Sequence, residues 1–332
     1  MHSAIAGVGH FVPENIITNE YLSTLMDTSD AWIKERTGIE ARRWVDPDKD
    51  TVANMAAKAS RMALERAGMD AQEIDFIVFA TITPDYFFPG SGVLLQRELG
   101  LEEIGALDIR NACSGFIYAL SIADQFIKTG MYKNILVVGA EIQSTAIDVS
   151  TRGRNTAVIF ADGAGAVILK RSENPGILST HLHSDGRFAE DLFVRDPGSS
   201  RPRSERQPDQ ILDTTTYKVV MNGNQVFKHA VVRFIQVIEE ALKANETSID
   251  KIDLLIPHQA NLRISQYIQE KLSLRDDQVF NNIMSKGNTT AASIPIAMSE
   301  AWSDGRIKSN DLICLAAFGS GFTWASALLR WQ

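Results

Sequence analysis

Cys113 is the residue of this chain best placed to act as a nucleophile. It lies in Asp108-Ile-Arg-Asn-Ala-Cys-Ser-Gly-Phe-Ile-Tyr-Ala-Leu120, where an apolar run from Ile104 to Ile109 gives way to a helical pattern. At a strand-to-helix turn the backbone N–H groups point outward, and the helix dipole favours negative charge. Such a turn is expected to hold a thiol below its free pKa of about 8.5. The helix N-terminus, more than a histidine base, is therefore expected to activate the thiol. The same N–H groups can receive an oxyanion. Cysteine is also a common core residue. Cys314, in Leu312-Ile-Cys-Leu-Ala-Ala317, has only apolar company and reads as core.

Two polar side chains at comparable junctions set Cys113 apart. His258 follows Leu254-Leu-Ile-Pro257 and precedes a helical pattern. Asn288 lies in Ser285-Lys-Gly-Asn-Thr-Thr-Ala-Ala-Ser-Ile-Pro295, a polar turn before another helix. Active-site groups of α/β folds gather where strands end and helices begin. Phe318-Gly-Ser-Gly-Phe-Thr-Trp324 adds a glycine-rich turn whose backbone can approach a ligand closely. Alone, His258 reads as a capping residue and Asn288 as a turn former. With Cys113 they place a thiol, an imidazole and an amide at three loop-to-helix junctions.

The elements that must position them alternate along the chain. Strand patterns cover Ile74 to Ile82, Asn134 to Ala140, Ala157 to Phe160 and Ala164 to Leu169. Helical patterns cover Val52 to Ala67, Ser91 to Leu99 and Ser114 to Lys128. The second half repeats the scheme, with helical patterns at Val226 to Lys243, Ala260 to Leu272 and Ala291 to Asp304. Its strand patterns are Asp253 to Pro257 and Asp311 to Ala317. This alternation predicts an α/β protein whose sheets are covered on both faces. Phe160-Ala-Asp-Gly-Ala-Gly165 and Phe318-Gly-Ser-Gly321 each lead into a returning strand pattern, which points to a duplication. The division this predicts is residues 1–172, a connector at 173–216, and residues 217–332. Asp196 to Gln210, rich in Pro, Ser and charge, reads as a solvated loop, although Arg201, Arg203 and Arg206 could meet an acidic partner.

Composition bounds the function. The 332 residues are 45% apolar, enough for a sizeable core. A formal net charge of −8 argues against nucleic-acid binding. The two cysteines lack metal-ligand spacing and point to a reducing compartment. Met1-His-Ser-Ala-Ile-Ala-Gly7 lacks the features of a secretory signal, and no run approaches the about 20 apolar residues of a membrane span. A soluble cytoplasmic protein without membrane insertion is expected.

These residues, in this order, resemble the β-ketoacyl-[acyl-carrier-protein] synthase III family. The likeness runs through Asp27-Thr-Ser-Asp-Ala-Trp-Ile-Lys-Glu-Arg-Thr-Gly-Ile39, Asn111-Ala-Cys-Ser-Gly-Phe116 and Phe160-Ala-Asp-Gly-Ala-Gly165. It continues through Thr180-His-Leu-His-Ser-Asp-Gly186, Pro257-His-Gln-Ala-Asn-Leu-Arg263, Gly287-Asn-Thr289 and Phe318-Gly-Ser-Gly-Phe-Thr-Trp324. It implies a homodimer with a thiolase-like fold, its two duplicated halves forming a five-layer α/β/α/β/α core. It implies that an acyl-CoA primer loads onto Cys113 and that malonyl-acyl-carrier protein then condenses with loss of CO2. No cofactor or metal is implied beyond the CoA thioester as substrate.

The resemblance also implies roles by position. The N–H groups of Cys113 and Ser320 would hold the oxyanion, and His258 and Asn288 would stabilise the enolate as neutral donors. An Asp at 288 would oppose that anion with its lone pairs. Phe318 would disfavour the malonyl carboxylate. Trp32 would stack on the adenine of CoA with Arg154 against the same base, while Arg36 and Asn261 would contact phosphates and pantetheine. Phe88 would cross the dimer interface into the partner's acyl pocket. Lys228, Arg263 and Lys271 would form a basic strip for the acidic carrier protein. Three features depart from the family pattern: Glu270 within that strip, Ser320 in place of a frequent glycine, and a longer Asp196 to Gln210 loop near the tunnel mouth. Other readings are a starter enzyme of a specialised lipid or polyketide pathway, a Cys/His/Asn thioester or amide hydrolase, and a non-catalytic acyl-CoA-binding protein.

Overall fold

The computed structural model describes residues 1–195, 198 and 218–332. The polar stretch at 196–210 therefore lies, apart from Gly198, outside the described residues.

Two sheets carry the fold. The first contains β1 (His2–Phe11), β2 (Phe76–Ala80), β3 (Gly105–Ile109), β4 (Asn134–Glu141) and β5 (Gly163–Ser172), in the order β1-β5-β4-β2-β3. The second contains β6 (Ile177–Ser184), β7 (Leu254–Pro257), β8 (Leu312–Gly319) and β9 (Thr323–Arg330), in the order β7-β8-β9-β6. Their pairings match. β2 and β4 are parallel, and β5 runs antiparallel to both β4 and β1. Likewise β7 and β8 are parallel, and β9 runs antiparallel to both β8 and β6. The counterpart of edge strand β3 shrinks to one parallel bridge, Leu255 to Val279. The duplication read from two short motifs is thus present in the whole sheet topology.

Five layers follow. Helices α1 (Val52–Ala67) and α2 (Ser91–Glu98) cover the outer face of the first sheet. Helices α3 (Gly115–Lys128) and α6 (Ser293–Ser303) lie between the sheets. Helix α4 (Gly223–Ala244) covers the outer face of the second sheet, with α5 (Leu262–Lys271) packed on it. The central helices are apolar on most sides because both faces meet a sheet: Phe116, Ile117 and Leu120 of α3 and Ile296 and Met298 of α6 are fully buried. Each such side chain contributes about 1.5–3 kcal/mol on burial. Helix α1 begins at a reciprocal Thr51–Asn54 capping box and ends at Gly68, whose φ is 62°. Its alanine face lies close on β1, where a Cβ on Gly7 would sit 2.2 Å from the Ala63 carbonyl oxygen.

Three sequence expectations change. Ala157 to Phe160 is not a strand: a short helix, Arg154–Ala157, ends at its first residue, Val158 and Ile159 form a turn, and Phe160 makes only an isolated bridge to Asn288. Strands β1 and β6, absent from the sequence reading, form matching edges of the two sheets. Glycines interrupt the apolar pattern of β1, and polar Ser179, Thr180, His181 and His183 interrupt that of β6. β6 also lies within the expected connector at 173–216, so part of that segment belongs to the second sheet.

Candidate active site

The Cys113 junction forms where β3 ends. Ala112 takes the left-handed region with φ of 44°, a conformation that L side chains rarely adopt. A single 3₁₀ turn, Ala112–Ser114, then feeds α3. This aims Cys113 at the end of β8. A Cβ on Gly319 would lie 2.6 Å from Cys113 Cβ and 3.0 Å from its Sγ, so only glycine leaves room for the thiol there. The backbone N–H groups of Cys113 and Ser320 lie beside the sulfur and favour its anion.

The segment from Asn288 to Ser293 brings the other two groups to this turn. Its middle, Thr290–Ala292, packs against the Cys113 turn, and a Cβ on Gly115 would lie 3.5 Å from Ala291 Cβ. At one end, Asn288 Oδ1 accepts from the Thr290 N–H at 2.9 Å. That bond fixes the amide, whose Nδ2 makes no hydrogen bond to a described residue. At the other end, the Ser293 hydroxyl meets His258 Nδ1 at 2.6 Å. The Gln259 N–H approaches the same hydroxyl oxygen at 3.4 Å; when the Ser293 hydroxyl donates to Nδ1, the neutral imidazole carries its proton on Nε2, and when Nδ1–H donates to the hydroxyl, Nε2 is free to accept. Nε2 has no partner among the described residues. His258 itself is anchored by its N–H to the Ala316 carbonyl of β8 at 2.8 Å.

Electrostatics correct one expectation. Burial pushes the Cys113 thiol up to about 12, the buried Glu141 carboxyl adds to the rise, and the two N–H groups at the sulfur oppose it. The group is a thiol at neutral pH, because lost hydration outweighs the turn's N–H groups. Burial also lowers His258 to about 3, so the imidazole is neutral. Cys314, fully buried in β8, is likewise pushed up to about 12 by burial.

Three structurally important groups were not found from the sequence. Glu141, fully buried, accepts from the hydroxyls of Thr81 at 3.2 Å and Thr83 at 2.6 Å, and from the N–H groups of Ile82 and Ala291. Burial raises it to about 7. Asp162, within the quoted glycine-rich motif, accepts from the N–H groups of Val45 and Ser144 at 2.8 Å each and is raised to about 6 by burial. Ser293 is the third. An isolated acid after a strand and a serine after two alanines carry no distinguishing local pattern.

A cavity of about 1310 Å³ opens on the thiol. Cys113, Ser320, Thr290, Phe160, Gln143 and Ile82 are among the residues that line it. His258, Asn288 and Phe318 are buried and are not in its wall. The Phe318 ring instead packs on Phe322, with centroids 4.9 Å apart. The Ser320 hydroxyl donates to the Leu192 carbonyl, tying the Gly319–Gly321 turn to a two-stranded ribbon, Leu192–Phe193 with Val220–Met221.

The remaining predicted residues lie elsewhere. The guanidinium groups of Arg36 and Arg154 both lie over Trp32, at 4.7 Å and 4.8 Å from its ring centroid. Asn261 caps α5 through Oδ1 and donates Nδ2 to the Arg36 carbonyl at 3.0 Å, so its amide positions Arg36. Phe88 is 82% exposed beside exposed Tyr86 and Phe87. Lys228, Arg263 and Lys271 are exposed on the adjacent helices α4 and α5 and make no salt bridge to a described residue; Glu270 is exposed beside Lys271. Among the described residues no cluster of three His, Cys, Asp or Glu could hold a metal, and no helix is long and apolar enough to cross a membrane.

Duplicated α/β halves, with a cysteine at one buried junction and a histidine and an amide held by the other, define a condensing enzyme of the thiolase fold. Comparison with known proteins narrows the class. Family models for 3-oxoacyl-[acyl-carrier-protein] synthase III match residues 107–186, and for its C-terminal part residues 242–331. The chain is 46% identical to the β-ketoacyl-[acyl-carrier-protein] synthase III of Alkalilimnicola ehrlichii over 99% of both chains. The crystal structure of 3-oxoacyl-[acyl-carrier-protein] synthase III from Aquifex aeolicus superposes with a TM-score of 0.90 at 42% identity, covering 99% of this chain and 100% of that one. The priming β-ketosynthase of the R1128 polyketide pathway superposes with a TM-score of 0.90 at 32% identity, covering 100% and 97%. The chain belongs to the β-ketoacyl-[acyl-carrier-protein] synthase III family and is a condensing acyltransferase.

Proposed function

We propose that the protein condenses an acyl-CoA primer with malonyl-[acyl-carrier-protein] through an acyl-Cys113 intermediate, giving a β-ketoacyl-[acyl-carrier-protein] that starts fatty acid synthesis. One observation carries this reading. The sulfur meets two backbone N–H groups, while two neutral side-chain donors, His258 Nε2 and Asn288 Nδ2, have no partner among the described residues. That is one electrophilic site for each half-reaction.

In the first half-reaction His258 acts in its Nδ1–H tautomer, with Nδ1 donating to the Ser293 hydroxyl, so that Nε2 takes the thiol proton as the sulfur attacks the thioester carbonyl. The oxyanion forms at the N–H groups of Cys113 and Ser320. The carbon–sulfur bond to CoA breaks, and the leaving thiolate recovers the proton from His258. The Ser293 hydroxyl can accept from or donate to Nδ1, so it supports His258 as base here and as donor in the next step. In the second, the malonyl carbon–carboxylate bond breaks, CO2 leaves, and the electron pair forms an enolate held by His258 and Asn288. Its carbon attacks the acyl-Cys113 carbonyl, and the expelled thiolate takes up a proton.

The outer residues fit the same scheme. Trp32, Arg36 and Arg154 would bind the CoA nucleotide, whose base would replace one guanidinium over the indole. Asn261 would support Arg36, and Lys228, Arg263 and Lys271 would receive the acidic carrier protein. The exposed aromatic loop at Phe88 would bury itself against a second copy, forming the homodimer. No resident cofactor enters the scheme, and the setting is the cytoplasm. A second reading, priming of a polyketide or specialised lipid pathway, is favoured by the likeness to the R1128 priming synthase.

The test is incubation with a panel of acyl-CoAs and malonyl-carrier protein. A β-ketoacyl product, with Cys113 acylated when malonyl-carrier protein is withheld, is expected. Release of free acid without malonyl-carrier protein would instead mark a hydrolase. Absence of acylation with every primer would overturn the reading.

A further inference from the structure

Gln143 lies two residues beyond the end of β4, is 2% exposed, and is one of the residues that line the cavity opening on Cys113. The segment is rigidly held. The Gln143 backbone N–H donates to buried Asp162. The side-chain Nε2 donates to the Thr290 hydroxyl at 2.8 Å, which ties it to the turn packed against Cys113. Its other amide atom makes no hydrogen bond to a described residue. The neighbouring wall hydroxyls differ. Thr83 donates to Glu141 at 2.6 Å and accepts from the Ile142 N–H at 2.9 Å, and Thr145 donates to the Ile142 carbonyl at 3.3 Å. Gln143 therefore presents a half-paired amide to a wall that also contains Ile82, Ile142, Ala146 and Phe160.

A plain alkyl chain laid against this amide leaves its free polar atom facing hydrocarbon, which is the costly arrangement for a buried polar group. A hydroxyl on the chain restores the bond. The Thr290 hydroxyl can accept or donate, so either end of the amide can face the cavity, and a substrate hydroxyl pairs with both. We propose that Gln143 selects acyl-CoA primers bearing a hydroxyl on the acyl chain over plain alkyl primers of equal length. This rests on the acyl-CoA reading above and adds a substrate class to it.

The test is single-turnover acylation of Cys113, followed by intact-protein mass, with butyryl-CoA against 3-hydroxybutyryl-CoA and hexanoyl-CoA against 3- and 5-hydroxyhexanoyl-CoA. Native enzyme is expected to use the best hydroxylated member at least as fast as its alkyl partner. Gln143→Leu, or Gln143→Met if the first does not fold, is expected to shift the rate ratio towards alkyl by about tenfold or more. A tenfold alkyl preference in the native enzyme overturns the proposal, as does an unchanged ratio in the variants, and either leaves the condensing function standing. Failure of every CoA ester to acylate Cys113 overturns that function and this inference with it.

Discussion

The two buried junctions of the duplicated halves share a backbone and differ in chemistry. In the first half a residue with positive φ, Ala112 at 44°, opens a 3₁₀ turn that feeds central helix α3. In the second half Thr290, at 53°, opens the turn that feeds central helix α6. One residue into each turn stands Cys113 in the first half and Ala291 in the second. The second junction carries no nucleophile; Asn288 precedes it and Ser293, the partner of His258, follows it. The repeated backbone supplies two strained turns packed against each other. Under the proposed function, side-chain choice gives one turn covalent chemistry and the other electrostatic stabilisation.

Substitutions that erase this difference should have the largest effect. Cys113→Ala makes the first turn resemble the second and is expected to abolish acyl transfer to the protein, read by intact mass. Retained acylation would remove Cys113 from its role. Asn288→Asp is expected to leave acylation nearly intact while condensation falls by about 10²–10³. Equal losses in both steps would show that Asn288 does not act on the enolate. Ser293→Ala removes the partner of His258 Nδ1 and is expected to slow condensation by about tenfold, with the two-step split measured as for Asn288. Unchanged condensation would mean that Ser293 does not set the imidazole.

The smallest effect concerns pH. Glu141 is raised from 4.5 to about 7 by burial. Its contribution to stability is therefore present below about 4.5 and lost as pH rises through about 7. His258 runs the other way: lowered from 6.5 to about 3, its contribution is present above 6.5 and lost as pH falls through about 3. Glu141→Gln is expected to flatten the stability profile on the neutral side of this window, measured by denaturant unfolding between pH 4.5 and 7.5. The variant is also expected to alkylate faster at Cys113, because a charge that raises the thiol is gone. Parallel profiles for the two proteins would contradict this account.

Much of the site is legible in the chain because its members sit at breaks in pattern. Cys113, His258 and Asn288 each stand where an apolar run or a polar turn meets a helical period, and such breaks are local. Helix α1 is likewise read to its end residues, since the Thr51–Asn54 box and Gly68 mark both ends. Strands β1 and β6 escape because glycine, histidine and threonine interrupt their apolar alternation; sheet pairing with β5 and β9 makes them strands. Ala157 to Phe160 errs the other way: its apolar residues pack in a capping layer with Ile17, Ile33 and Ile283.

The thiol's state belongs to the same division. Residue order dictates that Cys113 meets a helix N-terminus, and that alone predicts a lowered pKa. Whether the turn or the desolvation prevails depends on what surrounds the sulfur. Gly319 from β8, Glu141 from β4 and the Thr290–Ala292 turn arrive from positions far apart in the chain and exclude water together. Local pattern determines which residues carry the chemistry and which elements hold them. Long-range packing alone decides that the thiol is protonated at rest, that Ser293 sets the imidazole, and that Gln143 faces the cavity, because solvation and hydrogen-bond pairing are properties of neighbours in space.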